Sequence, residues 1–261
     1  MNLRQKLFVK IAGALNINIL GTAYQSRGVQ LPSKMEANGE SRFLEKDLVS
    51  LIGKKEKYVF FDVGQNVGEY SKRLAELGLP CVIHGFEPNI NLANNLESIF
   101  GKNPSVKLNK VGLGSQVGNL DLHVYNDDLH TGHGSIYPEV FSDLHNTVET
   151  QKISIAINTI DDYCSENEVS TIDFIKIDVE GNELEVLKGA VDTIPRISVI
   201  QFEFNEMNVV SRVFMRDFYE VLQGFDFCRI NVNGLIPLGK YSSNHEIFSI
   251  QNIVAVNRNI D

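Results

Sequence analysis

From residue 58 onward, short apolar runs alternate with amphipathic stretches of about ten residues, and few folds accommodate that order. Strands are predicted at Tyr58–Val63, Cys81–Phe86, Val106–Val111, Asn119–Val124, Asp173–Asp178 and Ser198–Phe204. Helices fall between them at Glu69–Leu77, Ile90–Phe100, Ile160–Glu166, Leu184–Ala190 and Val213–Gly224. This alternation predicts a mostly parallel, doubly wound α/β sheet with helices on both faces. The pattern changes at the end: Asp226–Val232 and Ile250–Val256 are separated by a Gly/Pro/Ser/Asn-rich stretch with no helix. A parallel pair needs a crossover of about a dozen residues, so these two strands must be antiparallel neighbours.

The 261 residues suffice for one such domain, expected over residues 46–261. Residues 1–45 read as an extension, a helix followed by a polar loop or lid over 22–41. Leu3, Leu7, Ile11 and Leu15 recur every fourth residue, which predicts a helix packed on the domain or on a partner subunit, as in a homodimer. Contact with a membrane surface is the competing reading, and a cleaved leader a third. Lys10, Asn16 and Asn18 interrupt the apolar stretch, so no transmembrane segment is predicted. A net charge of -9 offers no global attraction for a phosphate backbone, so nucleic acid is not expected as a partner. Cys81, Cys164 and Cys228 form no Cys-x-x-Cys pair and read as buried thiols, in keeping with a cytoplasmic protein.

The first strand runs into Asp62-Val-Gly64-Gln-Asn66-Val-Gly68-Glu69, a glycine-bearing turn opening a helix. Gly64 permits a sharp turn and close approach of a ligand, and Gly68 close packing of the helix. Glu87 ends the next strand, near the spacing of about 20 residues expected of an acid that binds ribose hydroxyls. The run lacks the middle glycine of Gly-x-Gly-x-x-Gly, which admits a pyrophosphate. An adenosyl ligand without phosphate fits better. S-adenosylmethionine, whose amino group and sulfonium attract a carboxylate such as Asp62, is the expected cofactor. Pro88, Val111, Gly112 and Asp178 complete the expected cofactor contacts with Asp62, Gly64, Asn66, Gly68 and Glu87.

The most distinctive stretch comes later, at Thr159-Ile-Asp161-Asp162-Tyr163 and then Lys176-Ile-Asp178-Val-Glu180-Gly181-Asn182-Glu183-Leu-Glu185-Val-Leu-Lys188-Gly189. It resembles the FkbM family of methyltransferases, whose hallmark is a Leu-Asp-Asp-like turn followed by Lys-Ile-Asp-x-Glu-Gly-x-Glu and a Leu-x-Gly helix end. Ile160 replaces the usual leucine. With the first loop, Glu87 and the terminal hairpin, the resemblance spans about residues 57–257. It implies a class I methyltransferase sheet, Rossmann-like, of seven mostly parallel strands with a C-terminal antiparallel hairpin. It also implies S-adenosylmethionine as methyl donor and O-methylation of a sugar, glycan precursor or secondary metabolite.

Methyl transfer from a sulfonium is an in-line displacement, in which the acceptor oxygen must be aligned and must lose its proton. Asp178, at the carboxyl end of its strand, is the first candidate base, Glu203 the second, and His133 in the polar loop Asp127–Ser135 the third. Helix capping is the bland alternative for Glu180 and Glu183. His130-x-x-His133 is too short a pattern for zinc. If a metal is used, Mg²⁺ on Asp178, Glu180 and Glu203 is the expected form. A catalytically silent adenosyl-binding or scaffold subunit, or a nicotinamide-dependent oxidoreductase, remain as alternative functions.

Overall fold

The computed structural model describes residues 1–125, 134–144 and 149–260. Its centre is an eight-stranded sheet built from β1 (Tyr58–Val63), β2 (Cys81–Phe86), β3 (Val106–Asn109), β8 (Ile172–Ile177), β9 (Ile197–Phe204), β10 (Phe225–Asn231), β11 (Gly234–Pro237) and β12 (Gln251–Asn257). The order is β11-β10-β12-β9-β8-β1-β2-β3. Strands β9, β8, β1, β2 and β3 are parallel neighbours, whereas β12 runs antiparallel between β9 and β10. The closing strands are therefore antiparallel, in a class I methyltransferase sheet. The eighth strand exceeds the predicted seven: Val232 and Asn233 form a two-residue turn before Gly234, so β11 folds back on β10 as a hairpin.

A second, four-stranded sheet was not predicted. It consists of β4 (Gly112–Leu113), β5 (Gly118–Tyr125), β6 (Gly134–Ser135) and β7 (Thr150–Asn158) in the order β4-β7-β5-β6. The strand expected over Val106–Val111 thus ends at Asn109, and Gly112 pairs instead with Ile157. The strand around Asn119–Val124 lies in this smaller sheet, not the large one. Its partner β7 shows period-two alternation, with Ile153, Ile155 and Ile157 on one face beside Leu122 and Val124.

Alternation along the central strands feeds two cores. Phe61, Val63, Ile175 and Ile177 face the helices Ile160–Glu166, Glu183–Lys188 and Met215–Val221, through Ile160, Leu187 and Phe218. Phe60, Phe174 and Val199 face Phe43, Leu44, Leu48 and Ile52 of the helical stretch 40–52, and Leu74 of the helix Glu69–Glu76. About 1.5–3 kcal/mol per fully buried side chain of this size accumulates on each face.

The chain's beginning departs from expectation. The helix Leu3–Ala14 buries only Ala12, so it does not pack on the domain. A second helix, Ile19–Ser26, occupies part of the expected loop, and Met35–Asn38 adds a helical turn. Residues 28–39 are fastened to β10: Gly28, at φ +77°, lets the backbone approach the Ile230 carbonyl, and Val29 is fully buried.

Candidate functional site

The carboxyl ends of β1, β2, β8 and β9 open into one cavity of about 600 Å³, the place where ligands bind in open α/β sheets. Asp62, Gly64, Asn66, Glu87, Pro88, Gly112, Asp178, Glu180 and Glu203 all line it. Leu122, Val124, Ile155 and Ile157 of the smaller sheet supply an apolar wall. Gly68 and Val111 are not part of the lining. Gly68 faces Leu96 and Phe100, where a Cβ would approach ring carbon to 2.5 Å, and Val111 packs against the core.

The β1 turn is fixed by its neighbours. Gly64 has φ +82°, and a Cβ there would lie 1.8 Å from the Asp178 carbonyl oxygen, so only glycine lets the two loops meet. Asn66 is left-handed at φ 51°, and its N–H donates to Glu87 Oε2 at 2.8 Å. The Asn89 N–H donates to Oε1 of the same carboxylate at 2.8 Å. Glu87 is thereby locked at the tip of β2, and burial still raises its pKa to about 7 against these two hydrogen bonds. Asp62 accepts from the Ser71 hydroxyl at 2.6 Å, and burial raises its pKa to about 6. The Ser71 hydroxyl also accepts from Gln65 Nε2 at 2.8 Å, which joins β1, its turn and the following helix.

A second polar group surrounds Lys176, in the penultimate position of β8 and only 3% exposed. Its Nζ donates to Asp178 Oδ2 at 3.1 Å and lies 5.6 Å from the centre of the Tyr70 ring. Burial pulls the ammonium pKa down, but Asp178, Glu40 and Glu203 more than offset it and leave the cation stabilised. Glu203 shows the opposite balance: burial first, and then the Asp178 charge, push its carboxyl well above the usual range. Asn205 Nδ2 donates to Glu203 Oε2 at 2.6 Å. Glu40 reaches in from the helical stretch before β1, accepting from Gln201 Nε2 at 2.6 Å and from Asn38 Nδ2 at 2.7 Å. Tyr70 donates its hydroxyl to Gln201 Oε1.

The remaining acids of the β8 turn divide between wall and scaffold. Glu183 accepts from the Val179 and Gly181 N–H groups at 3.0 and 3.2 Å, a loop-holding role, and burial raises its pKa to about 7. Glu180, at φ 55°, lines the cavity. The Asp161-Asp162 turn serves the fold: Asp161 accepts from Asp192 and Thr193 N–H at 3.1 and 2.8 Å, and Thr159 caps the helix by accepting from Asp162 N–H at 3.0 Å. His84 bonds the Tyr163 hydroxyl at 2.8 Å, with its pKa lowered to about 4 chiefly by burial. His130 and His133 lie outside the described residues.

Among the described residues, no three His, Cys, Asp or Glu side chains form a group able to hold a metal ion, so Asp178, Glu180 and Glu203 do not make the Mg²⁺ site anticipated as an alternative. Sequence reasoning does not assign Lys176, Glu40, Tyr70 or Gln201 to the site, whereas Asn205 is expected beside Glu203 at the carboxyl end of its strand and lies there. Lys176 carried a signal, a cation within the otherwise apolar run Phe174–Ile177, since lysine is almost never fully buried unless paired. Glu40, distant in sequence and outside any strand, carried none.

The sequence model of the methyltransferase FkbM domain matches residues 62–236. The 2-O-methyltransferase NoeI of Sinorhizobium fredii is 25% identical over 190 residues, covering 70% of this chain and 78% of that protein. The hexuronic acid methyltransferase AglP of Haloferax volcanii is 24% identical over 164 residues, 62% of each chain. Among solved structures, an O-methyltransferase from Bacillus cereus in complex with SAH superposes with a TM-score of 0.46 at 14% identity, covering 98% of this chain and 92% of that one.

Proposed function

The chain belongs to the FkbM family of S-adenosylmethionine-dependent methyltransferases, and we propose that it methylates a hydroxyl of a saccharide, glycan precursor or similar polyol. The observation carrying this reading is one cavity with two chemically distinct ends, Glu87 at the tip of β2 and the Lys176, Asp178 and Glu203 group at the tips of β8 and β9.

The first end suits the cofactor. Glu87 uses one lone pair of each oxygen on backbone N–H groups and keeps others for ribose hydroxyls. Phe86, Pro88, Leu92 and Leu113 offer apolar surface beside Gly112 for the adenine. Gln65 Oε1 and Asn182 Oδ1 are buried in residues of the cavity wall without a hydrogen-bond partner among the described residues, and suit the donors of an amino-acid ammonium. Asp62 adds negative charge and holds the turn; Gly64 and Asn66 shape it, while Gly68 and Val111 act from behind by packing. When bound, S-adenosylmethionine supplies a methyl group on a sulfonium, which leaves as a neutral thioether.

The second end suits an acceptor with several hydroxyls. Asp178, whose side chain is 39% exposed, accepts a hydrogen bond from the acceptor hydroxyl and takes its proton as the oxygen attacks. Lys176 holds that carboxylate in place by donating to its Oδ2. Glu203, whose carboxyl pKa burial and the Asp178 charge raise, hydrogen-bonds a neighbouring hydroxyl and orients the ring. Magnesium is left out of this reading, because the Lys176 ammonium already supplies positive charge among these acids. The names of two relatives, one a 2-O-methyltransferase and one a hexuronic acid methyltransferase, agree with a sugar-like acceptor. His133 is proposed only as a further contact from the loop.

Calorimetric titration with S-adenosylhomocysteine, with NAD as control and Glu87→Ala and Asp62→Ala as variants, tests the cofactor end. A panel of free and linked saccharides with labelled methyl donor tests the acceptor. Homocysteine-ligand binding that weakens in both variants, with label entering a saccharide, supports the reading. Tight binding with label entering only non-polyol acceptors sinks the saccharide assignment.

A further inference from the structure

The first 26 residues form a surface that the catalytic reading does not use. The helices Leu3–Ala14 and Ile19–Ser26 leave Leu3, Leu7, Phe8, Ile11, Leu15 and Leu20 exposed, by 49% at Ile11 and up to 83% at Leu3. Single exposed leucines are ordinary, but a contiguous apolar surface on one pair of helices marks an interaction site.

Charge identifies the occupant. Residues 1–35 contain Arg4, Lys6, Lys10, Arg27 and Lys34 and no acid, whereas all 33 acidic residues and the other 19 basic ones follow. A chain of net charge -9 thus carries a wholly basic apolar end. At 100° per residue, Leu3, Leu7, Phe8, Ile11 and Leu15 share one side; Lys6 and Lys10 lie together along one edge of it, and Arg4 falls within it. Lysines in that position extend their ammonium groups to a lipid headgroup while their stems cover apolar surface. A second copy would set these cations against each other.

Among the described residues no single helix is long and apolar enough to cross a membrane, and the two helices meet at a 106° bend. We infer that the exposed helix pair at residues 3–26 lies in the interface of an anionic bilayer, its apolar side chains inserted and its lysines and Arg4 on the headgroups. Residues 28–40 lead directly from it to the cavity, whose wall includes Ser33, Met35 and Glu40, so bilayer contact sets how the cavity meets the membrane surface.

Flotation of the full chain with vesicles tests this, comparing pure phosphatidylcholine with equal parts phosphatidylcholine and phosphatidylglycerol. The expected result is flotation with the anionic vesicles, abolished by the triple variant Leu7→Glu/Phe8→Glu/Ile11→Glu. The pair Lys6→Gln/Lys10→Gln should weaken it roughly twenty-five-fold, about fivefold for each basic side chain at an anionic surface. Titration with S-adenosylhomocysteine confirms that each variant is folded, since these residues lie away from the cavity. Absence of flotation overturns the inference, as does equal binding to neutral vesicles. A change in solution mass on Leu7→Glu/Phe8→Glu/Ile11→Glu without flotation overturns it in favour of self-association.

Discussion

Lys176 Nζ lies 3.1 Å from Asp178 Oδ2, and the two side chains leave the same edge of β8, one buried and one at the cavity. This pair ties the fold to the chemistry. Glu40 and Glu203 also act on the ammonium, so its removal leaves several carboxylates short of a counter-charge. Breaking a buried pair by deleting one partner costs about 3–5 kcal/mol, and the partial exposure of Asp178 reduces this. Lys176→Met should therefore lose about 2–3 kcal/mol of unfolding free energy in urea titration, together with methyl transfer. A variant of unchanged stability would show that the ammonium is not what balances these acids.

Glycine at position 64 is demanded twice, by its positive φ and by the Asp178 carbonyl. Gly78 shares the positive φ, at +67°, with open space around it. Gly78→Ala should cost only the left-handed backbone penalty, about 1–2 kcal/mol. Gly64→Ala adds a backbone collision that no side-chain rotation relieves, so it should cost more in urea unfolding and also abolish S-adenosylhomocysteine binding. Equal behaviour of the two would refute the tight approach of the loops.

Some of this was legible in the sequence and some was not, for identifiable reasons. The parallel strands and the closing antiparallel pair followed from apolar runs and the missing crossover. Glu87 and Asp178 followed from spacing and from their places at strand ends, and both line the cavity. The smaller sheet escaped because Thr150–Asn158 pairs with a strand distant in sequence, although its isoleucines alternate plainly. Lys176 stands in the motif that carries the family resemblance, and its role comes from Asp178 beside it and from Glu40 and Glu203 on two other segments. Asp161 belongs to the same motif, yet it accepts from the backbone N–H groups of Asp192 and Thr193.

That last contact gives a discriminating variant. Asp161→Ala strands the Thr193 N–H, at about 1–3 kcal/mol for a buried unpaired donor, while the exposed Asp192 N–H turns to water. Thermal and urea unfolding should show a loss in that range, while S-adenosylhomocysteine affinity stays within a few-fold of the parent. A large affinity loss at unchanged stability would place Asp161 with the ligand.

Three buried acids make the stability of the ligand-free protein depend on pH in an unusual direction. Asp62 titrates near 6, and Glu87 and Glu183 near 7, all above their ordinary values because of burial. The native state holds these protons more tightly than the unfolded chain does, so stability falls as pH rises through this range. Their contribution is fully present below the unfolded-state values near 4 and is lost as pH climbs through about 6–7. Urea unfolding should show a more stable protein at roughly pH 6 than at roughly pH 8, by about 1 kcal/mol or more, and Glu87→Gln should flatten that slope. A slope of opposite sign would contradict the buried, hydrogen-bonded setting of these carboxyls.

The two acids at the acceptor end should respond differently to amide substitution. Burial and then the Asp178 charge raise the Glu203 pKa, so Glu203→Gln, neutral and of the same size, keeps a group able to donate to a hydroxyl. Its kcat should fall less than about tenfold, with most of the effect in acceptor KM. Asp178→Asn removes the group placed to take the proton. A positioned base contributes about 10²–10⁴-fold, so kcat should fall by that factor, with S-adenosylhomocysteine affinity changing far less. If Glu203→Gln proved the more damaging of the two, the proton would pass to Glu203, and Asp178 would be a positioning residue held by Lys176.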